Sequence, residues 1–232
     1  TLAFVQLDEH GDRSFSFYRN PGADMMLRPE EIKLSLLQNC KIFHFGSISL
    51  THEPARSSTF FAVQLARKSG ALISYDPNLR LPLWKDESMA KELILKAMPM
   101  ADIVKISEEE LLFLTGCTDL EQGSALLTEQ YPIQLLLITL GEQGCFYRKG
   151  SMMGYVKGFE VKTIDTTGAG DAFLGGLLTK ILETQIKVED LKKHDLEQCI
   201  RFANAVGALV TTKKGAIPAM PGIQEIEKML QE

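Results

Sequence analysis

An α/β fold built on a mostly parallel sheet is what this sequence predicts, and three observations predict it. Short apolar runs recur along the chain, each followed by a polar turn and then by a segment of amphipathic helical spacing. The runs are apolar at consecutive positions, as strands buried on both faces must be. Gly and Ser residues stand where the helices should stop and start, so the alternation is punctuated as well as periodic.

Taken in order, residues 2–7 and 13–19 are strand-like. Phe15 and Phe17 alternate with Ser14 and Ser16, and the five-residue run Asp8-Glu9-His10-Gly11-Asp12 lies between the two segments, which predicts a hairpin. Beyond Pro29 the predicted buried strands are 42–45, 71–75, 103–106 and 135–139. Helices are expected at 54–69 with Gly70 as stop, at 88–98, and at 108–114 with Ser107 as N-cap and Gly116 as stop. A second β region at 145–148 and 153–164 leads into a helix at 170–183. A further helix at 196–211 carries Phe202, Val206, Leu209 and Val210 on one face. No linker, repeat or low-complexity tract interrupts the chain, so a single domain over 1–232 is expected.

Composition narrows the function classes. The 232 residues are 45% hydrophobic and 24% charged, which excludes disorder, collagen-like repeats and a disulfide-stapled mini-protein. With 25 Lys and Arg against 30 Asp and Glu the net charge is -5, and no basic stripe forms, which argues against a nucleic-acid partner. Cys40, Cys117, Cys145 and Cys199 form no C-x-x-C pair and have no zinc-type histidine spacing beside them, so they read as reduced thiols of a cytoplasmic protein. Apolar stretches such as 135–140 and 202–210 fall short of the ~20 residues that cross a bilayer, and no membrane partner is expected. The first residues have no basic n-region and no initiator Met, so neither a signal peptide nor a natural start is expected there.

The segment that carries chemistry is Asp165-Thr166-Thr167-Gly168-Ala169-Gly170-Asp171, set between a strand and a helix. Small residues at 168–170 let the N–H groups of a helix's first turn face an anion, and the helix dipole adds attraction. Such donors would also meet charge developing on a transferring phosphoryl group. Asp171 in that first turn can accept the proton of an attacking hydroxyl. The dipole favours its ionised form, so position counts for more than basicity. A lone Gly-x-Gly-Asp would equally serve close helix packing with a dipole-complementing acid.

This segment resembles the signature of the ribokinase-like (PfkB) carbohydrate kinases. The resemblance extends over nearly the whole chain and leans to the fructokinase branch through Phe17-Tyr18-Arg19-Asn20-Pro21, Phe43-His44-Phe45-Gly46-Ser47 and Tyr75-Asp76-Pro77-Asn78-Leu79-Arg80. It implies a three-layer αβα sandwich with a mostly parallel central sheet and a small β lid. The hairpin of 1–19 would then lie near the lid and the sugar pocket. It also implies that the family's N-terminal part, with its first strand, a sugar-holding acid and a Gly-Gly element, is absent from this chain.

Carried onto this sequence, the resemblance makes Asp171 the catalytic base and the backbone of Gly168, Ala169 and Gly170 an anion hole. Thr139, Gly141 and Gly144 match a nucleotide-contacting loop, and Asn204 matches a position beside the adenine. From the residues alone these are equally a β-turn and a helix Asn. Glu110 occupies the acid of the family's N-x-x-E motif, which organises magnesium, here through metal-bound water. Ser107 replaces the Asn, and Ser107 with Glu110 is also a capping box. Asp165 and Thr167, with carbonyls of 211–219, align with a monovalent-cation site for potassium, although Asp165 could equally be a cap. For the sugar, Arg19 and Arg80 come first, then Tyr18, Asp76 and Asn78, where Asp76-Pro77-Asn78 also reads as a plain turn. Met25, Met26, Phe60 and Phe61 are assigned to packing.

The implied activity is ATP-dependent phosphorylation of a sugar, fructose to fructose 6-phosphate first, with magnesium and potassium as the implied ions. Kinases for 2-keto-3-deoxygluconate, ribose or a nucleoside are the nearest alternatives. A non-catalytic nucleotide-binding member of the fold is the alternative from another class. The resemblance also implies a homodimer through lid strands, to which Phe15 and Phe17 of the hairpin would contribute, although their alternation is as easily explained by an ordinary half-buried sheet.

Overall fold

The structure is a computed structural model that describes residues 1–7, 13–19 and 22–231. Two strands, β1 (Leu2–Leu7) and β2 (Arg13–Tyr18), form a two-stranded sheet, and the run expected as their loop lies outside the described residues. Then follow α1 (Leu34–Gln38), β3 (Ile42–Gly46), α2 (Ala55–Lys68), β4 (Leu72–Asp76), α3 (Glu87–Ala97), β5 (Ile103–Ser107), α4 (Glu108–Thr115), α5 (Leu120–Gln130) and β6 (Leu135–Thr139). The chain continues through β7 (Gly144–Lys149), β8 (Met152–Lys157), α6 (Ala169–Thr184), α7 (Lys193–Val210) and α8 (Ile223–Gln231).

Strands β3 to β8 form one six-stranded sheet in sequence order. β3 pairs with β4 in parallel from Ile42 opposite Leu72 to Gly46 opposite Asp76, and β4 pairs with β5 in parallel through Ser74 with Ile103 and Tyr75 with Val104. β7 and β8 form an antiparallel ribbon at the other end of the order. The sheet is the mostly parallel one expected.

The chain forms two compact units, one of Thr1–Phe4 with Phe15–Ile138 and one of Val5–Ser14 with Thr139–Glu232. In the first, Ile73, Tyr75, Ile103, Ile106, Leu111 and Leu135 are wholly buried, and α2 packs on β3 and β4. In the second, α6 and α7 share a core of Ala172, Phe202, Ala205, Val206 and Val210. A Cβ at Gly176 would stand 3.0 Å from the Val206 side chain, so this glycine lets the two helices approach closely.

Helix ends follow local chemistry. Asp86 caps α3 by accepting the Met89 N–H at 2.8 Å, and α4 has the expected capping box of Ser107 and Glu110 and stops at Gly116, whose φ of 78° favours glycine.

Three expectations need correction. The 42–45 run was expected to be buried as a central strand, yet β3 lies at one end of the strand order with His44 exposed, since an outermost strand is not covered on both sides. The strand expected over 153–164 ends at Lys157, where the ribbon with β7 ends. Met26 and Phe61, assigned to packing, are 52% and 40% exposed. Helices α1, α5 and α8 were not anticipated. None of the four cysteines forms a disulfide, Cys145 and Cys199 are buried, and no helix among the described residues is long and apolar enough to cross a membrane.

Candidate active site

In the first unit, the parallel strands deliver a group of charged side chains to their carboxyl ends, where open α/β sheets bind ligands. Asp76 closes β4, Lys105 stands inside β5, and Glu110 lies in the first turn of α4. All three are more than nine-tenths buried. Lys105 Nζ donates to Asp76 Oδ2 at 3.0 Å, and Asp76 Oδ1 accepts the Asn78 N–H at 3.1 Å. Glu110 Oε1 accepts the Leu79 N–H at 2.6 Å and its Oε2 accepts the Ser107 N–H at 2.8 Å.

Asn78 has φ of 46°, in the left-handed region that Asn tolerates better than most residues. The Ser47 N–H donates to Pro77 O at 3.0 Å, so three successive residues of this turn are each held by a hydrogen bond. Burial, and next the Asp76 charge, push the Glu110 carboxyl above its ordinary range, against the Leu79 N–H, the Lys105 ammonium and the Ser107 N–H. Burial also pushes the Tyr75 phenol well up, with the Glu110 and Asp76 charges adding to it.

Asp76-Pro77-Asn78 lies at the carboxyl end of β4, and the Asp76 carboxylate accepts the amide two residues on, as a turn-forming Asp does. Arg80 follows at once, half-buried, with Nη1 donating to Leu79 O at 2.9 Å. Arg19 is buried, and its guanidinium donates to Asp24 Oδ2 at 2.7 Å, Thr51 Oγ1 at 2.7 Å and Ile48 O at 3.1 Å. Tyr18 is exposed and packs edge-on against Phe4. Asn20 and Pro21 of the same motif lie outside the described residues.

In the second unit, Asp165-Thr166-Thr167-Gly168 is the entry to α6. Asp165 is buried; its Oδ1 accepts the Thr167 N–H and its Oδ2 the Gly215 N–H, each at 2.9 Å. Thr211 O accepts both the Ile164 N–H at 2.7 Å and the Asp165 N–H at 3.1 Å. Asp165 is thus a tie between two loops, and the N-cap of α6 is Gly168.

Gly168 has φ of 81°, and a Cβ there would stand 2.8 Å from the Cβ of Ala216. Backbone strain and lack of space both exclude a side chain. The Ala169 N–H turns back to Thr166 O at 3.2 Å, and the amides that follow open the N-terminus of a 16-residue helix. Asp171 is the third residue of that helix and is exposed.

The loop after β6 is equally constrained. Gly141 and Gly144 have φ of 58° and 118°, and a Cβ on Gly144 would collide with Val156 O at 2.2 Å. Asn204 on α7 is buried, and its Nδ2 donates to Val156 O at 3.0 Å and Lys157 O at 3.1 Å, which straps the end of β8 to the helix.

The residues fit the implied ions only in part. Among the described residues no group of three His, Cys, Asp or Glu side chains could hold a metal. Both Glu110 oxygens already accept N–H bonds. This suits a magnesium that keeps its waters and rides on phosphates, and it does not suit a protein cage. At Asp165 and Thr211 the oxygens likewise accept N–H groups, so these atoms are not a ready set of potassium ligands.

Sequence reasoning missed Lys105. Its signal was a lysine in the middle of the apolar run Ile103-Val104-Lys105-Ile106, a position that is rarely charged unless the charge is paired.

Comparison with known proteins gives a consistent result. A family model described as pfkB family carbohydrate kinase matches residues 1–222. The chain is 49% identical over 230 residues to the probable fructokinase-4 of Arabidopsis thaliana, covering 99% of this chain and 70% of that protein. Among solved structures, the fructokinase of Vibrio cholerae O395 with fructose, ADP and calcium bound superposes with TM-score 0.88 at 38% identity, covering 98% of this chain and 73% of that one. The fructokinase of Xylella fastidiosa with bound ATP gives TM-score 0.90 at 35% identity, over 99% and 72%.

Proposed function

This chain belongs to the pfkB family of carbohydrate kinases, and from that premise we propose that it transfers the γ-phosphoryl group of ATP to fructose, giving fructose 6-phosphate and ADP. The observation that carries the chemistry is the entry to α6, where a glycine that tolerates no side chain opens a helix and a solvent-reachable Asp171 stands in its first turn.

Asp171 accepts the proton of the sugar's 6-hydroxyl as that oxygen bonds to the γ-phosphorus and the bond from phosphorus to the bridging oxygen of ADP breaks. The backbone amides of Gly168, Ala169 and Gly170 meet the charge on the transferring group, with the Ala169 N–H giving up its 3.2 Å bond to Thr166 O to do so. Thr139, Gly141 and Gly144 line the nucleotide, with Asn204 fixing the strand end beside it. Arg80 and Asn78 hold the sugar, flanked by Tyr18, and Asp76 serves it by fixing the loop that carries them. Arg19 contributes through donors beyond the three already engaged, since a guanidinium has five. Magnesium, when bound with the nucleotide, neutralises phosphate charge, and Glu110 would reach it through water. Potassium is the monovalent ion to test near Asp165 and Thr167. The family match over 1–222 supports reading both units as parts of one kinase domain. The fructose named for several similar proteins supports the choice of sugar.

The test is ADP release by the full-length natural protein with magnesium and potassium, across fructose, glucose, ribose, adenosine and 2-keto-3-deoxygluconate. Fructose-dependent turnover is expected. Turnover on another acceptor alone reassigns the sugar, and nucleotide binding without turnover on any acceptor overturns the kinase reading.

A further inference from the structure

Lys105 is a costly residue to place where it stands. Its neighbours Ile103, Val104 and Ile106 are wholly buried, and an apolar side chain would fill the strand position without desolvating an ammonium. What the charge obtains in return is Asp76, bound at 3.0 Å. One oxygen of Asp76 takes the ammonium, and the other takes the N–H of Asn78, the residue in the left-handed conformation.

Glu110 then takes the next N–H, that of Leu79, and Arg80 follows. Two buried carboxylates thus grip successive amides of one turn, with a single buried ammonium placed against them. Removing that ammonium would leave the two acids facing each other uncompensated. Asp76, without the partner of its Oδ2, would turn away, and that loosens the Asn78 amide held by its Oδ1.

We propose that Lys105 is a positioning residue for sugar binding: by holding Asp76 it sets the turn from which Asn78 and Arg80 are presented. The proposal rests on the assignment of Asn78 and Arg80 to the sugar made above. Lys105 acts through Asp76 and does not itself touch the sugar.

The test is Lys105→Met in the full-length natural protein, with fructose and ATP varied separately. The fructose KM is expected to rise about 10-fold or more while the ATP KM stays within about twofold, because only sugar binding is uncoupled. Lys105→Arg, which keeps a cation, should recover part of the loss. A fructose KM within about twofold of wild type overturns the proposal, as does a parallel rise in both KM values.

Where Lys105→Met does not fold, the double variant Lys105→Met/Asp76→Asn is compared with Asp76→Asn alone: because Lys105 acts through Asp76, the two should share one fructose KM within about twofold, and a further rise on losing Lys105 overturns the proposal. If the wild type turns over a different acceptor, the KM of that acceptor is read instead. If it turns over none, the sugar reading has failed, and hydrogen exchange still decides the role of Lys105. The Asn78 and Leu79 amides should exchange about 10-fold faster or more in the variant, with the α6 amides unchanged, and unaltered exchange at Asn78 and Leu79 overturns the proposal.

Discussion

The acids of the two units are used in opposite ways. In the first unit Asp76 and Glu110 are buried, and each carboxylate oxygen already accepts a bond from a backbone amide or from Lys105. In the second unit Asp171 is exposed in the first turn of α6, while its neighbour Asp165, six residues earlier in the chain, is buried and ties two loops. The difference lies in burial rather than in residue type. A desolvated carboxylate must be satisfied by the protein and so becomes part of the loop's architecture. A carboxylate in an exposed first turn is instead within reach of solvent and solutes. On the proposed function, the first unit's buried acids shape the loop that meets the sugar, and Asp171 of the second unit is the acid proposed to react with it.

The sharpest way to break this contrast is Asp171→Asn, which keeps shape and removes the base. Turnover is expected to fall roughly 10²- to 10⁴-fold with ATP affinity little changed, read from steady-state kinetics beside nucleotide binding. Near-normal turnover would put Asp171 with the structural acids and remove it from the mechanism. Arg80→Ala tests the ligand surface of the first unit. Loss of charge-assisted bonds of about 1.5–3 kcal/mol should change the sugar KM or the turnover roughly 10- to 100-fold, and an unchanged profile would make Arg80 an ordinary surface cation.

Glu110→Gln sharpens the structural side of the contrast. A Gln offers an NH2 where one backbone amide needs an acceptor, so a loss of about 1–3 kcal/mol is expected in denaturant unfolding. The pH dependence has a definite sign. Burial and the Asp76 charge raise the Glu110 pKa, so the folded protein holds that proton more tightly than the unfolded chain does. Stability should therefore fall as pH rises from the ordinary Glu range through the raised value, and Glu110→Gln should flatten that stretch of the profile. Asn204→Ala is the smallest change, expected to cost about 1–2 kcal/mol by leaving the Val156 and Lys157 carbonyls without their donor. Its ATP KM separates the structural strap from a nucleotide contact, since a pure strap lowers the melting temperature and leaves that constant unchanged.

Much of this molecule is legible in its sequence because the relevant signals are local. The Asp165 to Asp171 segment announces a helix entry through its glycines, and Ser107 with Glu110 announces the cap of α4. The strand 135–139 and the helix-stopping role of Gly116 follow from apolar runs and from a left-handed backbone that glycine adopts without strain. Less was legible where the signal is weak or shared. Helix α5 has Gly123 in its interior, which weakens its periodicity, and α8 is strongly amphipathic but short, nine residues that begin just past the Pro221-Gly222 pair, a signal that usually reads as a stop.

What the sequence determined by itself was the alternation of buried strands with most of the helices, the turn chemistry and the glycine-opened entry to α6, because each depends on residues close together in the chain. Tertiary structure alone decided which charged groups are spent on the fold. It brought Lys105 to Asp76 and the Leu79 amide to Glu110, it committed three donors of Arg19 to Asp24, Thr51 and Ile48, and it left Asp171 in reach of solvent. A hydrogen bond between residues some thirty positions apart leaves no mark in local periodicity, and burial, which settles whether a carboxylate is a tie or a base, is a property of the packed chain.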